Sequence, residues 1–189
     1  MLCTRPDICY AVGLVSRYQS NPGPAHWQGV RRILRYLCGT SDFVLCYQGG
    51  DLSLIGYSDA DWGGDLDESK STSGYAFILG GGAISWCSKK QECIALSTME
   101  AEYIAVSLAV QEAMWLRSFL QDLNLTPNVN EPVVMFCDNT AAIQFAQDPK
   151  FHRKAKHIKR RYHFVREAIN NKEITVKYIY RLTRRSLIL

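Results

Sequence analysis

Val133-Val134-Met135-Phe136-Cys137-Asp138-Asn139 is the stretch that decides how this chain of 189 residues folds. Five apolar residues in a row, too few for an ordinary helix, read as a strand buried on both faces. Such strands belong to parallel pairs inside α/β sheets. The run ends in a carboxylate, and Asn139 is a helix-capping residue type, so a short helix through Phe145 is expected next. Upstream, the alternating stretch Leu52 to Ser58 also ends in carboxylates, in Asp59-Ala60-Asp61-Trp62. A polar loop from Gly63 to Ser73 leads to Gly74–Leu79 and Ala83–Cys87, two short strands joined through Gly80, Gly81 and Gly82. That is a hairpin signal, so three consecutive strands are expected to form an antiparallel meander.

The helices fit around this sheet. Ser97 to Leu123 is the strongest helical pattern, with Tyr103, Val106, Val110, Met114 and Leu116 on an apolar face and Ser97 or Thr98 as N-cap. Asn124 and Pro127 end it. A basic helix is expected over Lys156 to Asn170, then a last strand over Ile174 to Ile179. Residues 1–40 read as helical and as separate from the rest of the chain: Ile8, Val12, Val15 and Tyr18 recur at helical spacing, Asn21 to Pro24 forces a break, and a second helix fits His26 to Leu37. Phe43 to Tyr47 reads as a further strand.

With 47% hydrophobic and 21% charged residues, the composition excludes wholesale disorder. No stretch approaches the roughly 20 apolar residues that span a bilayer, and no secretory signal is visible at the start, so an intracellular, non-secreted protein is expected. The net charge of +4 hides an uneven distribution: +3 over residues 1–50, −10 over 51–149 and +11 over 150–189. The seven cysteines form no Cys-x-x-Cys pair and mostly have apolar neighbours, so reduced, buried thiols are expected. His152, His157 and His163 have no cysteine beside them and no zinc-site spacing. Glycine-rich phosphate motifs are absent, so no nucleotide cofactor is implied.

The placement of Asp59, Asp138 and Glu102 carries the chemistry. Both aspartates end hydrophobic strands, and Glu102 lies on the first turns of the long helix that must cross the sheet. Three acids brought together repel one another unless a cation sits between them, and hard oxygen ligands favour Mg²⁺ or Mn²⁺. Two such ions about 4 Å apart can activate water and stabilise the leaving oxygen in phosphodiester hydrolysis. The plainer alternative is that Asp59, Asp61, Asp65 and Asp67 form a solvated acidic turn and that Asp138 only caps a helix.

Tyr57-Ser58-Asp59-Ala60-Asp61-Trp62, Ser97-Thr98-Met99-Glu100-Ala101-Glu102-Tyr103-Ile104-Ala105, Phe136-Cys137-Asp138-Asn139 and Lys156-His157-Ile158 through Glu167 closely resemble the ribonuclease H domain of copia-type retrotransposon polyproteins. Thr4 to Tyr10 and His26 to Thr40 resemble the segment joining reverse transcriptase to that domain, so the likeness covers roughly residues 1–180. It implies a five-stranded mixed α/β sheet, three strands antiparallel and two parallel, with helices packed on it. It also implies Mg²⁺-dependent endonucleolytic cleavage of the RNA strand of RNA–DNA hybrids during reverse transcription, with two Mg²⁺ or Mn²⁺ ions. Asp59 and Asp138 match family carboxylates. Glu100 and Glu102 are about 200° apart on a helix, so one of them points into the site. Ala105 and Ala109 follow Glu102 as the family pattern requires, so Glu102 is chosen and Glu100 is read as a cap or supporting group, together with Asp61, Asn139 and His157.

The family's fourth carboxylate follows its fifth strand, but here no acid follows Glu173, so Asp61 or Glu173 would have to replace it. The resemblance divides the chain into a remnant of the reverse transcriptase connection at 1–48, a ribonuclease H-like domain at 49–180 and a divergent basic tail at 181–189. Lys154, Lys156, Lys159, Arg160 and Arg161 are candidates for gripping the phosphates of a hybrid or other duplex. The expected partners are that nucleic acid and the reverse transcriptase portion of the same polyprotein, with no membrane. The expected compartment is a cytoplasmic retroelement particle or the nucleus. Two alternatives remain: a catalytically weakened or silent module that binds nucleic acid, and a vestigial element fragment.

Overall fold

The computed structural model describes residues 3–50, 52–65, 67–125, 131–147 and 159–180, with side chains after 158 described from His163 onward. After a 3-10 turn at Pro6–Ile8 come α1 (Cys9–Ser16) and α2 (Pro24–Gly39). The body comes next: β1 (Ile55–Asp61), β2 (Thr72–Leu79), β3 (Gly82–Lys90), α3 (Thr98–Asp122), β4 (Val133–Cys137), α4 (Thr140–Gln147), α5 (Lys159–Asn170) and β5 (Ile174–Tyr178). The strands form one sheet in the order β3-β2-β1-β4-β5. The first three are antiparallel neighbours, whereas β1–β4 and β4–β5 are parallel, the mixed arrangement expected from the sequence.

Local chemistry explains the elements. Gly80 and Gly81 form the two-residue turn between β2 and β3 with φ of 56° and 81°, conformations that suit a hairpin and that side chains resist. At the start of α3, Ser97 Oγ accepts from the Glu100 N–H at 3.2 Å, and Glu100 Oε2 accepts from the Leu96 N–H at 2.8 Å. Pro24 opens α2, where its missing N–H costs nothing.

The core lies between the sheet and α3, with α4 and α5 packed beside that helix. Phe77, Met135, Tyr103, Val110 and Ala113 are completely buried there. At Gly56 on β1, a Cβ would collide with Met135 and come within 2.6 Å of Phe77, so glycine lets the two large side chains meet across the strand. Ser85 Oγ donates to Glu112 Oε1 at 2.6 Å, tying β3 to the same helix.

Three expectations change. Phe43 to Tyr47 is not a strand, because the run finds no ladder partner among the described residues; the Gln48 N–H donates to Gly80 O at 2.9 Å and the Tyr47 hydroxyl to Ala83 O at 2.8 Å, so it rests against the β2–β3 turn. Cys3, Cys38 and Cys46 are exposed and Cys137 alone is fully buried, since apolar neighbours in a surface segment do not bury a thiol. Residues 1–40 are not separate from the body: α1 packs against β3.

The supposedly solvated acidic turn is also tied down. The Asp65 side chain is 4% exposed and pairs with Lys90 and with Arg17 of the helical segment. Asp65 Oδ1 accepts the N–H groups of Asp67 and Glu68 at 3.1 and 3.2 Å. The Lys90 ammonium and these N–H groups hold its carboxyl at about 2, below the usual range. A depressed pKa contributes stability above the unfolded value of about 3.9, lost as pH falls through the folded one. Asp65→Asn is therefore expected to be less stable than the parent to urea at pH 5, with the gap closing towards pH 2. A gap independent of pH would refute this role.

Candidate active site

Strand register assembles the site. Trp86, Ala76, Tyr57 and Phe136 are successive partners across β3, β2, β1 and β4, and two residues along, Ser88, Gly74 and Asp59 form the next row. Side chains alternate along a strand, so Asp59, two past Tyr57, emerges on the same face as those rings, and Asp138, just past the end of β4, lines the same groove. The rings of Tyr57 and Phe136 stack at 5.4 Å. Ala76 and Gly74 leave a hollow between the larger side chains, and the result is a groove of about 350 Å³. Asp59, Asp61 and Asp138 line its acidic end, while Pro6, Cys9 and Tyr10 of the helical segment form part of its wall.

Glu102 arrives from the other side of the sheet. It is 7% exposed on the first turns of α3, and its carboxylate, the Cys137 thiol and the Asp138 carboxylate offer atoms all within 4.8 Å of one another. Burial, reinforced by the charges of Glu102 and Asp138, pushes the Cys137 thiol up to about 12, so it stays neutral near pH 7. The charged donors are thus carboxylate oxygens, a set that fits Mg²⁺ or Mn²⁺ better than a soft metal. Asp138 belongs to both groupings: it clusters with Glu102 and shares the groove with Asp59.

The other sequence candidates fall into place around these. The Glu100 carboxylate accepts from the Leu96 N–H, so it serves the helix end. Asn139 Oδ1 accepts from the Ala142 N–H at 3.0 Å and caps α4. Asp61 lines the groove, whereas Glu173 immediately precedes β5 beside Val133, at the end of the sheet opposite Asp138, a separation of about 16 Å for five strand residues. Of the two acids named as replacements for the fourth carboxylate, only Asp61 is near. Trp62 Nε1 donates to Ala95 O at 3.2 Å. Lys159, Arg160 and Arg161 lie on the first turn of α5; Lys154, Lys156, His157 and the tail at 181–189 lie outside the described residues. The sequence reading missed Cys137 as a neighbour of the acids, although it precedes Asp138 and its strand alternation points it towards α3.

No family model matches the chain. It is 49% identical over 176 residues to the retrovirus-related Pol polyprotein from transposon TNT 1-94 of Nicotiana tabacum, covering 93% of this chain and 13% of that protein. The chain is thus similar to one stretch of the Pol polyproteins of copia-type retrotransposons, and it spans about an eighth of their length. It is also 53% identical over 117 residues to the secreted RxLR effector protein 161 of Plasmopara viticola, 61% of this chain and 82% of that protein. Among solved structures, LC11-RNase H1, isolated from compost, has a TM-score of 0.52 at 14% identity, over 71% of this chain and 89% of that chain. The foamy viral protease-reverse transcriptase dRH in complex with double-stranded DNA has a TM-score of 0.59 at 14% identity, over 94% of this chain and 30% of that chain. The chain thus has the ribonuclease H fold, preceded by a short helical segment. Among the described residues, no helix is long and apolar enough to cross a membrane.

Proposed function

We propose that this chain is a metal-dependent ribonuclease H that hydrolyses the RNA strand of RNA–DNA hybrids during reverse transcription. In this reading residues 1–48 are the end of the reverse transcriptase connection, 49–180 the nuclease domain and 181–189 a divergent basic tail. Its setting is intracellular, in a retroelement particle or the nucleus, beside the reverse transcriptase portion of the polyprotein. The observation that carries the proposal is the pair of strand-end carboxylates, Asp59 and Asp138, in one groove, with Glu102 brought to Asp138 from the facing helix.

Asp59, Glu102 and Asp138 would hold two Mg²⁺ or Mn²⁺ ions, which when bound supply activation of water and neutralisation of the leaving oxygen. The chain's own groups supply placement. Asp59 is held in the β1–β2 ladder opposite Gly74, and Asp138 directly follows the last ladder residue of β4. Glu102 is held by a helix whose start is capped and whose body is buried. Asp61 stands on the rim of the same groove, where it can assist in place of the family's fourth acid.

The basic region would grip the duplex beyond the acids. Replacing Lys159, Arg160 and Arg161 with Ala is expected to weaken hybrid binding similarly for all sequences and to lower the salt slope by about one for each phosphate no longer gripped. An unchanged slope, measured by anisotropy across salt concentrations, would remove these residues from the interface.

The reading is tested by incubating the chain with a labelled RNA–DNA hybrid and Mg²⁺ or Mn²⁺. Release of shortened RNA is expected. No cleavage with either ion overturns the nuclease assignment, and salt-dependent retention of the intact hybrid would identify a binding module on the same fold.

A further inference from the structure

The loop after the acidic end of β1 is held from outside the sheet. Arg17, just past the end of α1, sends Nη1 to Asp65 Oδ2 at 3.4 Å and Nη2 to Thr72 Oγ1 at 3.1 Å. Thr72 is the register partner of Asp61 in the β1–β2 ladder, at the last rung before the loop. Asp65 lies inside the loop, and the Tyr18 hydroxyl donates to Asp67 Oδ2 at 2.8 Å a little further along it. One planar guanidinium therefore spans the loop and the strand that carries it back, from 48 and 55 positions earlier in the chain.

We propose that Arg17 is a positioning residue for the carboxylate site: the helical segment ahead of the sheet clamps the 62–71 loop and so sets where Asp59 and Asp61 point. The inference rests on the nuclease reading of that site. Its physical basis is the buried Asp65 carboxylate. A charge out of water destabilises its surroundings unless cations and N–H groups surround it, so removing Arg17 and leaving Lys90 favours a loop that swings Asp65 outward. Asp61 is four residues before Asp65 and Asp59 two before that, on a strand that ends there, so such a swing would be felt at the groove. A lysine can answer one acceptor but lacks the fork that reaches both.

The test uses the full chain as parent, Arg17→Ala, Arg17→Lys and Thr72→Val, the last leaving the Asp65 pair intact. Three quantities are read: Mn²⁺ affinity by calorimetry without nucleic acid, the rate of tryptic cleavage after Lys70 within the loop, and kcat and KM on a hybrid. Arg17→Ala is expected to weaken Mn²⁺ binding about tenfold and to lower kcat with little change in KM, as for groups that orient metal ligands. It should also expose Lys70 to trypsin while the melting temperature of the whole chain stays near the parent's. Arg17→Lys should recover part of the loss, and Thr72→Val should show a smaller one; if Arg17→Ala fails to fold, these two carry the comparison. Variants that bind Mn²⁺ like the parent and protect Lys70 equally overturn the proposal. A parent that neither binds Mn²⁺ nor cleaves a hybrid overturns the nuclease reading instead, and the clamp is then decided by Lys70 protection alone.

Discussion

Asp59→Asn is expected to slow cleavage of the RNA strand by on the order of a thousandfold, because a carboxylate that neutralises charge at a hydrolytic centre contributes several kcal/mol. The substitution keeps size and shape and removes only the charge. Asp59 sits at the groove rather than in the core, so the ladder that carries it, Asp59 opposite Gly74, should persist. The melting temperature is therefore expected to hold, and hybrid binding should stay equal or tighten, since one negative charge facing the phosphates is gone. Single-turnover cleavage in Mg²⁺ and in Mn²⁺ measures the effect. A variant within about threefold of the parent would remove Asp59 from the reaction, given the several kcal/mol at stake.

Phe77→Ala is expected to cost about 3–5 kcal/mol of folding stability, the range for a large aromatic removed from a closed core. Phe77 is completely buried on β2, edge-on to Tyr75 with centroids 5.6 Å apart, and it fills the space that Gly56 leaves open. Neighbouring β1 and β3 are fixed by their ladders, so the surroundings have little freedom to collapse into the void. Urea unfolding followed by circular dichroism gives the number. A loss below about 1 kcal/mol would mean that α3 settles onto the sheet, contrary to rigid packing of the core. Because α3 carries Glu102, such settling would also shift that carboxylate relative to Asp138.

Much of this architecture is visible in local patterns. The five-residue apolar run before Asp138 is the expected parallel central strand, but it is not buried on both faces: Val133, Met135 and Cys137 are buried in the core, whereas Val134 and Phe136 on the other face are half-buried. The glycines between Leu79 and Ala83 make a tight hairpin because their conformations are available to few other residues. The capping geometry at Ser97 and Glu100 follows from spacing alone, and that spacing separates Glu100 from Glu102 before any contact is known. Local patterns mislead where the deciding interactions lie far along the chain. Phe43 to Tyr47 has strand composition, yet a strand needs a neighbour's hydrogen bonds, and composition says nothing of whether a neighbour is there.

The sequence by itself determined the order and types of the main elements, the placement of Asp59 and Asp138 close to strand ends, and the resemblance to copia-type Pol polyproteins. These depend on periodicity, turn residues and short motifs, all carried by neighbours in the chain. Only the tertiary structure decided that Glu102 approaches Asp138 beside a buried thiol, that Asp61 and not Glu173 shares the groove, and that Arg17 is joined to Asp65. Each of these is a relation between segments separated by tens of residues. It exists because burying the apolar face of α3 against the sheet and packing α1 beside β3 carries their polar groups along, to positions that no local pattern specifies.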